Sequence, residues 1–150
     1  MQRAIELART GMENGDGGPF GCVVVRDGEI VGEGNNRVTS TNDPTAHAEV
    51  IAIREACAAV GSFQLDGCTI YTSCEPCPMC LGAIYWARPD RVFYACTRDD
   101  AAEIGFDDRF IYEELEKANE AREMALMPLM REEAVEIFQD WSAKSDKVEY

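Results

Sequence analysis

Residues 68–87 read Cys68-Thr69-Ile70-Tyr71-Thr72-Ser73-Cys74-Glu75-Pro76-Cys77-Pro78-Met79-Cys80-Leu81-Gly82-Ala83-Ile84-Tyr85-Trp86-Ala87, and the fold turns on them. Cys68 to Thr72 is short, apolar and rich in strand-forming residues, so it reads as a buried strand. From Cys77 to Ala87 the chain is apolar nearly all round, which predicts a buried helix. Pro76 and Pro78 suit a chain entering that helix, where a missing amide donor costs little. Pro89-Asp90 then turns the chain into a further strand, Arg91 to Ala95.

The same alternation continues on either side. Residues 2–13 have helical spacing, with Ile5, Leu7, Ala8 and Met12 as the apolar side, and stop at Asn14-Gly15-Asp16-Gly17-Gly18-Pro19. Residues 21–26 and 29–35 read as a hairpin through Asp27-Gly28. After a polar loop, a helix is expected from Asp43 as N-cap, with Pro44 in its first position, to Val60 before Gly61. Downstream, residues 110–118 read as helix, 123–130 as strand and 131–144 as an amphipathic helix. Strands alternating with helices predict an α/β layered domain with a mixed sheet.

Composition narrows the function classes. At 150 residues the chain fits one domain, 1–150, with a real core. No stretch reaches the roughly 20 apolar residues of a membrane span, and no secretory pattern opens the chain. Seven cysteines, an odd number, fit reduced thiols in a cytoplasmic enzyme better than a disulfide framework. The formal net charge of −14 opposes binding to nucleic acid, which needs clustered Lys and Arg. Small neutral substrates suit it better; the acidity itself reads either as solubility or as adaptation to a high-salt interior.

The chemistry gathers around the only histidine, His47, in Asp43-Pro44-Thr45-Ala46-His47-Ala48-Glu49. Cys77 and Cys80, three apart on a helix, share one face, with Cβ atoms about 5–6 Å apart, which suits two sulfurs on one zinc. Cys77 at a helix N-terminus has a lowered thiol pKa, favouring the thiolate that zinc needs. His47 would be the third ligand, leaving one tetrahedral position for water, as in a catalytic zinc site. Glu49 is placed to take that water's proton and later to deliver protons to a ring nitrogen and a leaving amine. The alternative is a closed structural knuckle in which Cys74 is the fourth ligand, and spacing alone leaves it open.

His47-x-Glu49 followed by Pro76-Cys77-x-x-Cys80 resembles the zinc signature of nucleobase deaminases. The likeness to the cytidine deaminase superfamily, and within it to short bacterial guanine deaminases, covers essentially the whole chain. It runs from Gly17-Gly18-Pro19-Phe20-Gly21 through Asn42 to Glu49, Tyr71 to Pro89 and Gly105-Phe106-Asp107-Asp108 to Tyr150. The resemblance implies a three-layer domain with a central five-stranded mixed sheet flanked by helices. It implies Zn2+ on His47, Cys77 and Cys80, with Glu49 as proton shuttle. Phe20 would stack on a purine, Asn36 would hydrogen-bond its edge, and Asp108 would contact substrate and assist proton transfer. Tyr150 would close the pocket, with the tail of about residues 145–150 exchanged between the subunits of a homodimer.

Each implied role has a plainer competitor. Phe20 could be core, Asn36 a turn residue, Asp108 with Asp107 a helix cap, and Tyr150 a frayed end. Cys22, Cys57, Cys68 and Cys96 read as buried apolar fillers. The expected reaction is hydrolysis of guanine to xanthine and ammonia, with guanosine deamination as alternative. Adenosine editing in tRNA and a non-catalytic zinc module stand further back.

Overall fold

The structure, a computed structural model, describes residues 1–149. Tyr150 lies outside the described residues, and with it the expected pocket-closing side chain. The chain divides into two compact units, one from Met1 to Asp108 and one from Arg109 onward.

The first unit contains α1 (Gln2–Glu13), β1 (Gly21–Arg26), β2 (Glu29–Asn35), the short α2 (Val38–Thr41) and α3 (Ala48–Val60). It continues with β3 (Cys68–Cys74), α4 (Pro78–Ala87), β4 (Arg91–Cys96) and α5 (Arg98–Glu103). The sheet order is β2-β1-β3-β4. β1 pairs antiparallel with both β2 and β3, whereas β3 and β4 run parallel with Cys74 opposite Cys96. The α/β class, the mixed sheet and the helices on both faces agree with expectation. The sheet, however, has four strands rather than five.

The two faces are covered by helices that approach through glycine. Gly21 and Gly34 sit on opposite faces, since Gly21 pairs with Asn35 and Gly34 with Cys22. A Cβ on Gly21 would lie 2.1 Å from the Ala4 carbonyl oxygen of α1, and one on Gly34 2.2 Å from the Ala48 carbonyl oxygen of α3. Small residues therefore form the contact faces. α1 buries Ala4, Ala8 and Gly11 and leaves Ile5 and Met12 exposed, contrary to the expected apolar side. Backbone proximity, not side-chain size, selects its inward face. On the α3 side, Cys22, Val24, Ala48, Ala52, Ala56, Leu65, Cys68, Ile70, Ile84 and Ala87 form the core.

Three more local expectations need correction. α3 begins at Ala48 with His47 as N-cap, not at Asp43. The Asp43 carboxylate accepts from the Thr45 amide at 2.8 Å and the Thr45 hydroxyl at 2.7 Å, forming a local turn that competes with helix initiation. α4 buries only Cys80, Ile84 and Ala87, and Leu81, Tyr85 and Trp86 on its other side are exposed. Among the cysteines expected inside, Cys22 and Cys68 are buried, Cys57 is half-buried and Cys96 is exposed on the edge strand β4.

The second unit holds α6 (Arg109–Leu115), a 3-10 turn (Asn119–Ala121) and α7 (Arg131–Ala143). Residues 123–130, expected as a strand, form none. Pro128 removes a ladder donor, and the segment's start is tied to α6 instead: the Glu123 amide donates to Glu114 Oε2 at 2.8 Å and Arg122 Nε to the Glu114 carbonyl at 3.0 Å. Glu114 also pairs with Lys117. α7 forms where the amphipathic helix was expected, yet Ile137, Phe138 and Trp141 are exposed.

Candidate metal centre and active site

Two helix N-termini of the first unit converge. His47 caps α3 and Cys77 caps α4, with Pro78 in the first turn of α4 and Cys80 one turn in. His47 Nδ1 lies 3.5 Å from Cys77 Sγ and 3.4 Å from Cys80 Sγ. Ligand atoms of all three residues lie within 4.8 Å of one another. A tetrahedral zinc with bonds of about 2.3 Å to sulfur and 2.0–2.1 Å to nitrogen sets its sulfur and nitrogen ligands roughly 3.6 Å apart. Both observed nitrogen-to-sulfur spacings fit zinc.

The protonation chemistry suits a metal as well. The Cys77 thiol falls to about 4, held as thiolate chiefly by a hydrogen bond from Cys80 and then by His47, against the effect of burial. Cys80 is pushed up by the same bond to Cys77 and by burial, so the two thiols share one proton. His47 is raised, first by its hydrogen bond with Cys77. Thiolate is the metal-binding form, so the pair offers a ligand before any metal arrives.

Cys74 is not part of this group. Its Sγ turns away to donate to the Thr97 carbonyl at 3.5 Å, at the far end of β4. Burial, then Cys96 beside it, pushes its thiol up to about 12. Among the described residues the metal-competent cluster is His47, Cys77 and Cys80. Three ligands leave an open position, which a closed knuckle would not.

Glu49, in the first turn of α3, is buried beside the cluster. Its Oε2 accepts from Cys80 Sγ at 3.3 Å and its Oε1 from the Thr72 hydroxyl at 3.1 Å. Burial raises its pKa above the usual glutamate value, opposed by the bonds it accepts. A carboxyl that binds a proton readily near a metal-ligand cluster is equipped for proton transfer.

Phe20 and Asn36 adjoin at the β1–β2 end of the sheet, where the Asn36 amide donates to the Phe20 carbonyl at 3.0 Å. The Arg37 amide then donates to the Ala46 carbonyl at 2.9 Å, which ties this corner to the residue before His47. Asn36 is 5% exposed, and its Oδ1 accepts from the Gly18 amide at 3.3 Å and the Val38 amide at 3.2 Å. With the oxygen engaged, the NH2 group is the end left to read a ligand's acceptor. Phe20 is held edge-to-face by Phe106, ring centroids 4.9 Å apart. Asp108 is half-buried, with its pKa raised by burial and then by the charge of Cys77.

Sequence reasoning missed Thr72, Ser73 and Phe106 as working parts. Ser73 Oγ accepts the Gly21 amide at 2.9 Å and so fixes the start of β1 beside Phe20. Thr72 and Ser73 carried a usable signal: hydroxyls in a strand read as buried must find partners. Phe106 carried no such signal, because its partner Phe20 is distant in sequence.

The comparisons with known proteins agree with this geometry. The family model described as the cytidine and deoxycytidylate deaminase zinc-binding region matches residues 1–96. The chain is similar to guanine deaminase of Bacillus subtilis (strain 168), 57% identical over 150 residues, covering 100% of this chain and 96% of that protein. It superposes on a crystal structure of guanine deaminase from Bacillus subtilis with a TM-score of 0.96, covering 99% of this chain and 95% of the other at 57% identity. Similarity to the tRNA-specific adenosine deaminase of Aquifex aeolicus (strain VF5) is 38% over 95 residues, covering 63% of this chain and 62% of that protein.

Proposed function

Because this chain belongs to the zinc-binding cytidine and deoxycytidylate deaminase family, we propose that it is a guanine deaminase, converting guanine and water to xanthine and ammonia. The observation that carries the reading is the reach of the likeness. Similarity to the tRNA adenosine deaminase covers 95 residues, whereas similarity to guanine deaminase runs over 150 residues. The latter therefore includes Gly105-Phe106-Asp107-Asp108 and the chain beyond.

In this reading His47, Cys77 and Cys80 hold zinc. The metal supplies Lewis acidity that makes water a nucleophile near neutral pH. Glu49 takes one proton of the attacking water at its carboxylate and gives it to the ring nitrogen, then carries the second proton, from the newly added hydroxyl, to the departing amine. Phe20 stacks on the purine, its ring set by Phe106. Asn36 donates its NH2 to an acceptor on the purine edge, its Oδ1 being held by the Gly18 and Val38 amides. Asp108 contacts the substrate and assists proton transfer, and its burial-raised pKa supports that role. The resemblance assigns closure of the site to Tyr150, which lies outside the described residues.

The substrate is a free base, not a nucleic acid, and the net charge of −14 supports this. All seven cysteines are free thiols, which supports the reducing cytoplasm as the compartment; no helix among the described residues is long and apolar enough to cross a membrane. We also read the protein as a homodimer with exchanged tails. The exposed Leu81, Tyr85, Phe93, Tyr94, Ile137 and Phe138 support that reading, because a lone chain leaves unusually much apolar surface wet. Sedimentation of zinc-loaded protein should give twice the chain mass of 16.6 kDa; a monomer at micromolar concentration removes the dimer.

The deciding experiment measures ammonia release from guanine, guanosine, cytosine, cytidine and adenine with zinc-loaded protein. Guanine should be turned over fastest. Turnover of guanosine alone would overturn the choice of base over nucleoside, and inosine formation in tRNA would favour editing. A protein inert on every aminated ring would leave a non-catalytic zinc module.

A further inference from the structure

Thr72 sits in the middle of β3, between Cys22 of β1 and Tyr94 of β4, so its backbone is fixed from both sides. It is 1% exposed, and the Glu49 it faces is 6% exposed. No bulk water reaches the hydroxyl to replace it. Its Oγ1 donates to Glu49 Oε1 at 3.1 Å, across 23 residues of sequence. The other oxygen, Oε2, lies 3.3 Å from Cys80 Sγ, on the side of the metal-ligand cluster. The carboxylate is thus pinned at one oxygen by the sheet and presented at the other to the reacting side. A threonine suits the task because its branched Cβ restricts the χ1 torsion that aims the hydroxyl.

We propose that Thr72 is a positioning residue for the proton shuttle: its hydroxyl fixes the rotation of the Glu49 carboxylate so that Oε2 faces the bound substrate and water. This rests on the deaminase reading above. A hydroxyl that merely satisfied a buried acceptor would affect folding and leave turnover of the folded enzyme alone. A hydroxyl that sets the shuttle's orientation would affect the chemical step and leave substrate binding alone.

The test compares Thr72→Val, which keeps the shape and removes the donor, with Thr72→Ser, which keeps the donor. Both are measured beside wild type for zinc content, thermal melting and ammonia release from guanine. Thr72→Val should keep its zinc and its cooperative melt, lose about 10–100-fold in kcat and hold KM within about twofold, the range seen when supporting partners of a site are removed. Thr72→Ser should recover to within about threefold of wild type on the same scale. A Thr72→Val enzyme with wild-type kcat, a change confined to KM, or a serine variant as impaired as the valine one would each overturn the proposal. If Thr72→Val loses its zinc or its melt, Thr72→Ala is read by the same criteria; loss in both makes the hydroxyl purely structural and overturns the proposal. A wild type inert on guanine and on the other aminated rings brings down the deaminase reading, and this proposal with it. An active wild type with an indifferent Thr72 brings down this proposal alone.

Discussion

The proposed function gives Glu49 and the cysteines separable roles, and single substitutions should separate them. Glu49→Gln keeps the shape and the hydrogen bond from Thr72 but removes the proton acceptor. It should bind zinc as wild type does and lose at least about 100-fold in kcat, the lower end of general acid–base contributions. Retained activity would remove Glu49 from the mechanism. Cys77→Ala should lose zinc, since it deletes the thiolate that His47 and Cys80 surround. Cys74→Ala should keep one zinc per chain, because that sulfur faces the Thr97 carbonyl. Metal analysis of the two purified variants decides between an open and a closed site.

At the scale of elements, the site depends on how closely α3 lies on β2. Gly34→Ala would put a methyl 2.2 Å from the Ala48 carbonyl and 2.8 Å from the Ala52 amide, so the helix that carries His47 and Glu49 must move. Urea denaturation should show a loss of about 1–3 kcal/mol or more, the cost of overpacking, together with weaker zinc retention. Unchanged stability would mean that α3 does not hold this position. α1 is tied to the other face of the same strand by Arg3, whose guanidinium donates to both Glu33 oxygens at 2.6 and 2.7 Å. That hydrogen bond holds the Glu33 carboxyl below its ordinary value of 4.5. A depressed carboxyl stabilises the fold above its unfolded pKa and loses that effect as pH falls through its folded pKa. Glu33→Gln should therefore melt slightly below wild type at pH 7, the difference staying small because the pair is solvent-exposed and closing as the pH drops below 4.5. A difference that persists in acid would contradict the ion pair.

For the whole molecule, the charge of −14 sets the response to salt. Self-repulsion at this charge loosens the compact state, and raising ionic strength to 1 M shortens its reach to about 3 Å. The melting temperature in potassium chloride from about 0.05 to about 1 M, over which the Debye length falls from roughly 14 Å to about 3 Å, should rise steadily if the acidic surface is an adaptation to a salty interior. A flat or falling curve leaves solubility as its role.

Much of the site was legible in the sequence because its chemistry is local. A histidine two residues before a glutamate, and cysteines three apart behind prolines, are distances along the chain that a helix start converts into one face. Strands and helices followed from hydrophobic period, whereas the partners of the Thr72 and Ser73 hydroxyls did not. The errors have the same root. Asp43 reads as a cap because sequence does not show which backbone amide its carboxylate will choose, and that amide is Thr45's. Residues 123–130 read as strand from an apolar run, which states nothing about a neighbour to pair with. The amino-acid sequence by itself determined the α/β class and marked out His47, Cys77 and Cys80 as the metal-competent group. Tertiary structure alone decided that Cys74 turns away, that α1 packs through Ala4 and Ala8, and that Thr72 meets Glu49. Those contacts join residues far apart in the chain, and only strand register and helix packing bring them within bonding distance.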